Sequence, residues 1–263
     1  MVNDSLFDWA QVEDELSIFG SCGSIWSQSA NIIIERTLWA SILDAQLQLG
    51  LKVTGGEESV AQVLLTRRSI DLTSIRDREL VTRHDLKARL EETVAVAGIP
   101  EVLHLGCTSA DIVENSYLFR MALTVEHLRE LGASLEPATE WMVWRGVKGP
   151  VGTQDDQVTL LGSIDKVMEL DQLVAERFGF DKIANSVPQV MYRSADLDWA
   201  TRIFNSVPEV DRSTGVIMSG LLSMLTEISG TTWNEGDVST SVVRRYALPM
   251  IAKVMEDNIR RNQ

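Results

Sequence analysis

The stretch IWSQSANIIIERTLWASILDAQLQLG, Ile25 to Gly50, decides how the rest of the chain is read. Ile32, Ile33, Leu38, Trp39, Ile42, Leu43, Ala45 and Leu49 recur at three- and four-residue spacings, the period of a helix burying a stripe. Gly50 and the Gly55–Gly56 pair then break the pattern. The same period recurs downstream. It predicts a helix from about Glu79 to Ala97, closed by Gly98 and Pro100, and another from Thr108 to about Leu131. Thr108 and Asp111 stand at capping-box spacing. A further helix from near Thr153 would carry Val158, Leu161, Ile164, Val167, Met168, Val174 and Phe178 on one side. Val216, Ile217, Met218, Leu221, Leu222, Leu225 and Ile228 form another stripe. A last helix covers roughly Ser239 to Arg260, interrupted or kinked at Pro249.

Short β-branched runs with clean alternation are missing, as are internal repeats and low-complexity tracts. The fold class predicted is all-α, a bundle of long helices. Helices of twenty-odd residues with wide apolar stripes, in a chain of 263 residues, predict burial of the remaining faces against another subunit.

Composition narrows the function. Hydrophobic residues make up 44% and charged residues 24%, ordinary for a globular protein. The net charge of −14 argues against nonspecific binding to nucleic acid or anionic membrane, since both need a positive surface. A local basic pocket for an anionic small molecule remains compatible with it. No stretch approaches the roughly 20 apolar residues of a membrane span. The first residues, Met1 to Gln11, show neither the basic start nor the apolar run of a signal peptide. A cytoplasmic protein is expected. Cys22 and Cys107 follow no metal or redox spacing, so free thiols are expected and neither metal nor cofactor.

Four segments gather polar residues at helix starts and loops. In TRHDLKARLEE, Thr82 to Glu92, His84 sits among Arg83, Asp85 and Lys87, a combination suited to phosphate or carboxylate. A solvated helix face with a Lys87–Glu91 pair is the commoner meaning of such a pattern. In HLGCTSADIVEN, His104 to Asn115, Gly106 permits a turn before Thr108 and Ser109 open a helix whose free N–H groups could hold an anion. Thr108 as a simple cap is the plainer alternative. RGVKGPVGTQ, Arg145 to Gln154, lacks the Gly-Lys-Ser/Thr ending of a P-loop and reads equally as a structural turn. In WNEGDVSTSVVRRYALP, Trp233 to Pro249, Ser239, Ser241, Arg244 and Arg245 could hold an anion, or the arginines could face solvent.

Taken in order, with SVPQVMYRSADLDW from Ser186 to Trp199, these blocks resemble those of the adenylosuccinate lyases of the fumarase/aspartase superfamily. The resemblance covers most of the chain from Trp26 to Met250. It implies a fumarase/aspartase-type long-helix bundle, with an N-terminal helical domain over 1–100, a shortened central bundle over 101–263, and no C-terminal domain. It implies a lyase that cleaves a C–N bond by β-elimination, acting on adenylosuccinate and the succinyl-carboxamide ribotide of purine synthesis and releasing fumarate. Such chemistry needs a base, donors for the charge building on a carboxylate, and an acid for the departing nitrogen.

By this resemblance Arg83 and His84 would meet the substrate phosphate, and Thr108 and Ser109 a succinyl carboxylate. Gln154 would contact the substrate with Lys148 close by, Arg193 would meet it despite Met191 replacing the family's proline, and Ser241 and Arg245 would bind on the phosphate side. One site would be shared by three subunits of a homotetramer. The pattern departs from the family in four places. No histidine lies between Leu131 and Trp144, where a catalytic one is expected, and ATRIFNSVPEVD replaces the mobile loop that carries the serine base. Phe19–Gly20 stands for an Arg-Tyr pair, and the C-terminal helical domain is missing after about Arg261. No catalytic acid or base is therefore assigned. Segments left out of a longer enzyme and a shortened chain that binds without turnover both fit these gaps. A silent nucleotide-binding or assembly protein, or a lyase for argininosuccinate or a carboxymuconate, are the alternative functions.

Overall fold

The computed structural model describes residues 19–146, 157–184, 191–192, 194–230, 232–233 and 238–263. The described elements are almost all helical, as the periodicity predicts. They are α1 (Cys22–Ile25), α2 (Gln28–Gln48), α3 (Gly56–Thr66), α4 (Leu72–Thr82), α5 (Asp85–Ala97), α6 (Ser109–Glu130), α7 (Gln157–Leu161), α8 (Ile164–Glu176), α9 (Ser194–Asn205), α10 (Arg212–Ser229) and α11 (Val238–Arg261). Four two-residue strands make two minimal pairs. β1 (Trp144–Arg145) runs parallel to β2 (Ile183–Ala184), and β3 (Met191–Tyr192) antiparallel to β4 (Thr232–Trp233).

The chain divides into two compact units, interleaved in sequence. Among the described residues, the first is made from those within Gln28–Tyr117 and Val143–Asn185, and the second from those within Phe19–Ser27, Leu118–Met142 and Ser186–Gln263. The helix α6 runs through both.

In the first unit α2 is central and buried on every side, not only along the predicted stripe. Ile32, Ile34, Leu38, Trp39 and Ala45 are buried, and so are Glu35, Arg36, Asp44 and Gln46 on the other faces. Buried charges persist only when paired, and each of these is. Arg36 bonds Glu92 and the carbonyls of Thr66, Arg67 and Ser69 at 3.0, 3.1 and 3.2 Å. Arg89 Nε holds Glu35 at 2.6 Å, and Arg177 holds Asp44 at 2.8 Å. These pairs tie α5 and α8 to the central helix. Trp144 of β1 stacks on Phe178 and Phe180, with ring centroids 5.1 Å away in both cases.

The second unit is centred on Trp199 of α9, whose indole N–H donates to the Met121 carbonyl at 3.1 Å. Trp26 meets it edge-on, and Arg120 lies over the Trp26 ring. In α10, Met218, Leu221, Leu225 and Ile228 form the buried stripe.

Several predicted elements need correction. The helix expected over Glu79–Ala97 is two helices, α4 and α5, broken at Arg83. Arg83 adopts φ 56, the left-handed conformation that ends helices. Part of the expected helix from Thr153 lies outside the described residues; the described part breaks at Gly162, with φ 83, between α7 and α8. Val158, Ile164 and Met168, assigned to its buried stripe, are exposed, as are Val216 and Ile217 on α10. The last helix is not interrupted at Pro249, which lies within a continuous α11.

Candidate functional site

Two of the sequence blocks meet at one hydrogen bond. The break at Arg83 leaves His84 extended, as the N-cap of α5, with its Nδ1 accepting the Lys87 N–H at 3.2 Å. A neutral imidazole with an accepting Nδ1 carries its proton on Nε2. That nitrogen lies 3.1 Å from Ser109 Oγ, at the first residue of α6. The ring therefore donates to the serine, whose own O–H is left to donate onward. The His84 side chain is 47% exposed, so solvent or a ligand reaches the pair. His84 thus faces another block and does not simply ride on a solvated helix face, while the Lys87–Glu91 pair is also made, at 3.9 Å.

Thr108 behaves differently from Ser109. Asp111 reaches back to accept the Thr108 N–H at 2.7 Å and its hydroxyl at 3.2 Å. The Thr108 side chain is buried and its proton points to Asp111, the capping arrangement foreseen from the spacing. Gly106 takes φ 64 in the turn that precedes it.

Behind the pair stands His104, also left-handed at φ 66. Its Nδ1 accepts the Trp39 indole N–H at 3.1 Å. Burial, with a smaller contribution from the neighbouring His84, pushes its pKa down to about 4, so the ring stays neutral at pH 7. Among the described residues, Arg83 and His104 are the non-glycine residues with positive φ, and both belong to the blocks that meet here. Strain of this kind collects at functional sites.

The next block is fastened at both ends. Asn115 is fully buried; its Nδ2 donates to the Arg145 carbonyl at 2.9 Å, and its Oδ1 accepts the Arg145 N–H at 3.1 Å. Gln157 donates to the Leu105 carbonyl at 2.9 Å and accepts from Gln46 at 2.8 Å. A Cβ on Gly146 would run into the Asp171 carboxylate, which would have to shift to admit a side chain there. The segment from Arg145 to Gln157 is thus anchored at each flank to HLGCTSADIVEN. Lys148 and Gln154, inside it, lie outside the described residues, as does Arg193.

In the second unit Asp196 of SADLDW forms a buried ion pair with Arg244 of SVVRR at 2.6 Å. The β3–β4 pair joins the same two blocks through the backbone. Ser241 and Arg245 stand four residues apart on α11, hence on one face, with Arg245 exposed. The candidates therefore fall into two groups: Arg83, His84, Thr108 and Ser109 in the first unit, Ser241 and Arg245 in the second. Sequence reading missed Asn115, Gln157, Gln46 and Asp196, which hold the blocks in place. Their signal was a polar residue inside an apolar helical run, too common to single out.

No protein-family model matches the chain. It is similar to curated adenylosuccinate lyases. The one from Saccharomyces cerevisiae is 28% identical over 221 residues, covering 62% of this chain and 44% of the relative. Those from Schizosaccharomyces pombe and Caenorhabditis briggsae are 26% and 24% identical, over 66% and 60% of this chain and 47% and 43% of theirs. The chain thus matches less than half the length of these relatives. A span of 221 positions exceeds 62% of 263 residues, so the yeast relative carries residues inside the span with no counterpart here. The crystal structure of a fumarate lyase from Mesorhizobium sp. BNC1 matches the fold at a TM-score of 0.58 and 12% identity, over 99% of this chain and 75% of that one. The fold is therefore that of the fumarase/aspartase class, and the sequence is adenylosuccinate lyase-like.

Proposed function

We propose that the chain binds a purine nucleotide bearing a succinyl group and belongs to an adenylosuccinate-type lyase, which cleaves the C–N bond by β-elimination to give AMP and fumarate. The same reading extends to the succinyl-carboxamide ribotide and to a cytoplasmic role in purine synthesis. The observation that carries it is the His84–Ser109 hydrogen bond. It joins two blocks that resemble, in order, those of adenylosuccinate lyases, and it sets a ring nitrogen and a hydroxyl side by side, polar groups suited to holding an anion. In this reading Arg83 and His84 meet the phosphate, and Ser109, with the capping Thr108 beside it, a succinyl carboxylate. Lys148, Gln154 and Arg193 line the substrate, and Ser241 and Arg245 complete the phosphate side. A homotetramer would assemble each site from three subunits.

A second reading has a specific observation behind it. Histidines occur only at positions 84, 104 and 127, none between Leu131 and Trp144, and Ser206 lacks the loop that would make it a base. A chain so built would bind without turnover.

Purified protein mixed with adenylosuccinate, followed by ultraviolet absorbance, separates the two. Conversion to AMP and fumarate supports the lyase; AMP binding in calorimetry without conversion supports the silent binder. Absence of both overturns the nucleotide site itself. Arg245→Ala is expected to weaken AMP binding by about 1.5–3 kcal/mol, the value of a hydrogen bond to a charged group; unchanged affinity removes Arg245 from the site.

A further inference from the structure

The second unit holds three ligand-type side chains that the proposed function does not use. Cys22 opens α1, His127 lies in the last turn of α6, and Glu256 lies in the final turns of α11. They are far apart in sequence, so no spacing rule finds them. In the fold their ligand atoms all lie within 4.8 Å of one another, and all three residues are buried. His127 Nε2 is 3.0 Å from Glu256 Oε1, and Glu256 Oε2 accepts the Cys22 backbone N–H at 2.9 Å.

We propose that Cys22, His127 and Glu256 form a three-ligand site for a zinc-type divalent cation, its fourth position left to water. The donor set of one sulfur, one imidazole nitrogen and one carboxylate oxygen is the borderline-soft combination that zinc takes. Tetrahedral bonds of roughly 2.0–2.3 Å place donors about 3.3–3.8 Å apart. From within 4.8 Å of one another, the three donors would need to approach by about 1 Å or more to reach that spacing. Charge favours the same occupant: a dication balances the charge of one thiolate and one carboxylate. Without a cation, burial and the facing Glu256 carboxylate push the Cys22 thiol far up and keep it protonated. Arg260 donates to Glu256 Oε1 at 2.9 and 3.1 Å. It orients the carboxylate from the outer shell, and its positive charge tempers the affinity. On binding, the Cys22 proton leaves to solvent. Affinity therefore rises with pH.

The test uses cobalt(II) as a spectroscopic stand-in, added to the whole chain after chelator treatment. One cobalt per chain is expected, with a thiolate-to-cobalt charge-transfer band and visible bands of tetrahedral intensity. Zinc should displace it. Cys107→Ser should keep the band and Cys22→Ser lose it. No thiolate band, or an undiminished band in Cys22→Ser, overturns the site. Should Cys22→Ser fail to fold, the unsubstituted chain decides. Zinc should slow alkylation of Cys22, read by peptide mass; equal labelling with and without zinc overturns the proposal.

Discussion

The long helix α6 begins and ends in two very different environments. At its first turn Ser109 meets His84 in a polar, solvent-reached corner, and one turn further on the buried Asn115 clamps Arg145, so three sequence blocks are drawn in. Past its last turn the chain closes on itself. The Ser134 N–H donates to the Ser206 carbonyl at 2.9 Å, bonding the stretch without a histidine to the stretch without a signature loop. Fully buried Asn258 seals the same seam, donating to the Glu209 carbonyl at 2.8 Å and accepting the Asp211 N–H at 3.2 Å. One end keeps groups that can hold an anion. At the other, the segments where the family's acid and base are expected are short and satisfied by each other. The candidate binding residues and the segments where an acid and a base are expected therefore sit in different stretches of this chain.

The largest expected effect breaks the scaffold under the first region. Glu92→Ala strips the partner from buried Arg36 and should cost about 3–5 kcal/mol in urea unfolding, as uncompensated buried charges do. A loss below about 1 kcal/mol would mean that the pair does not organise the unit.

A pH titration of stability acts on the same region through His104. Its folded pKa, about 4, lies below the ordinary histidine value of 6.5, so the unfolded chain binds more protons between those values. Stability is then full above pH 6.5 and falls as the pH drops towards 4, by up to about 3 kcal/mol. His104→Gln should flatten that slope; the same slope in both chains would place its origin elsewhere.

At the seam, Asn258→Ala removes two buried hydrogen bonds and should cost about 1–3 kcal/mol while leaving AMP affinity unchanged. A parallel loss of affinity would show that the two regions are not separable. Smallest is Ser109→Ala, expected to weaken adenylosuccinate binding by about 1 kcal/mol with no effect at the seam.

Local signals carried most of the fold into view. Apolar period and glycine stops placed α2 and α6 to within two residues at each end, because those helices contain no internal break. The division at Arg83 was hidden because an arginine in the left-handed conformation carries no glycine to announce it. At the site, Thr108–Asp111 capping could be read from spacing alone, since it is local. The His84–Ser109 bond, the Asn115 and Gln157 anchors and the Asp196–Arg244 pair join residues 25 to 52 positions apart. Position along the chain says nothing of such meetings; only the resemblance of the blocks suggested them.

His84→Asn tests the binding region most directly. Asparagine keeps the N-cap to Lys87 but lacks the ring N–H that reaches Ser109. Calorimetry with AMP should show binding to the unsubstituted chain and at least roughly tenfold weaker binding to the variant, the equivalent of about 1.4 kcal/mol. Equal affinity in the two chains would contradict the assignment of this corner as the anion site.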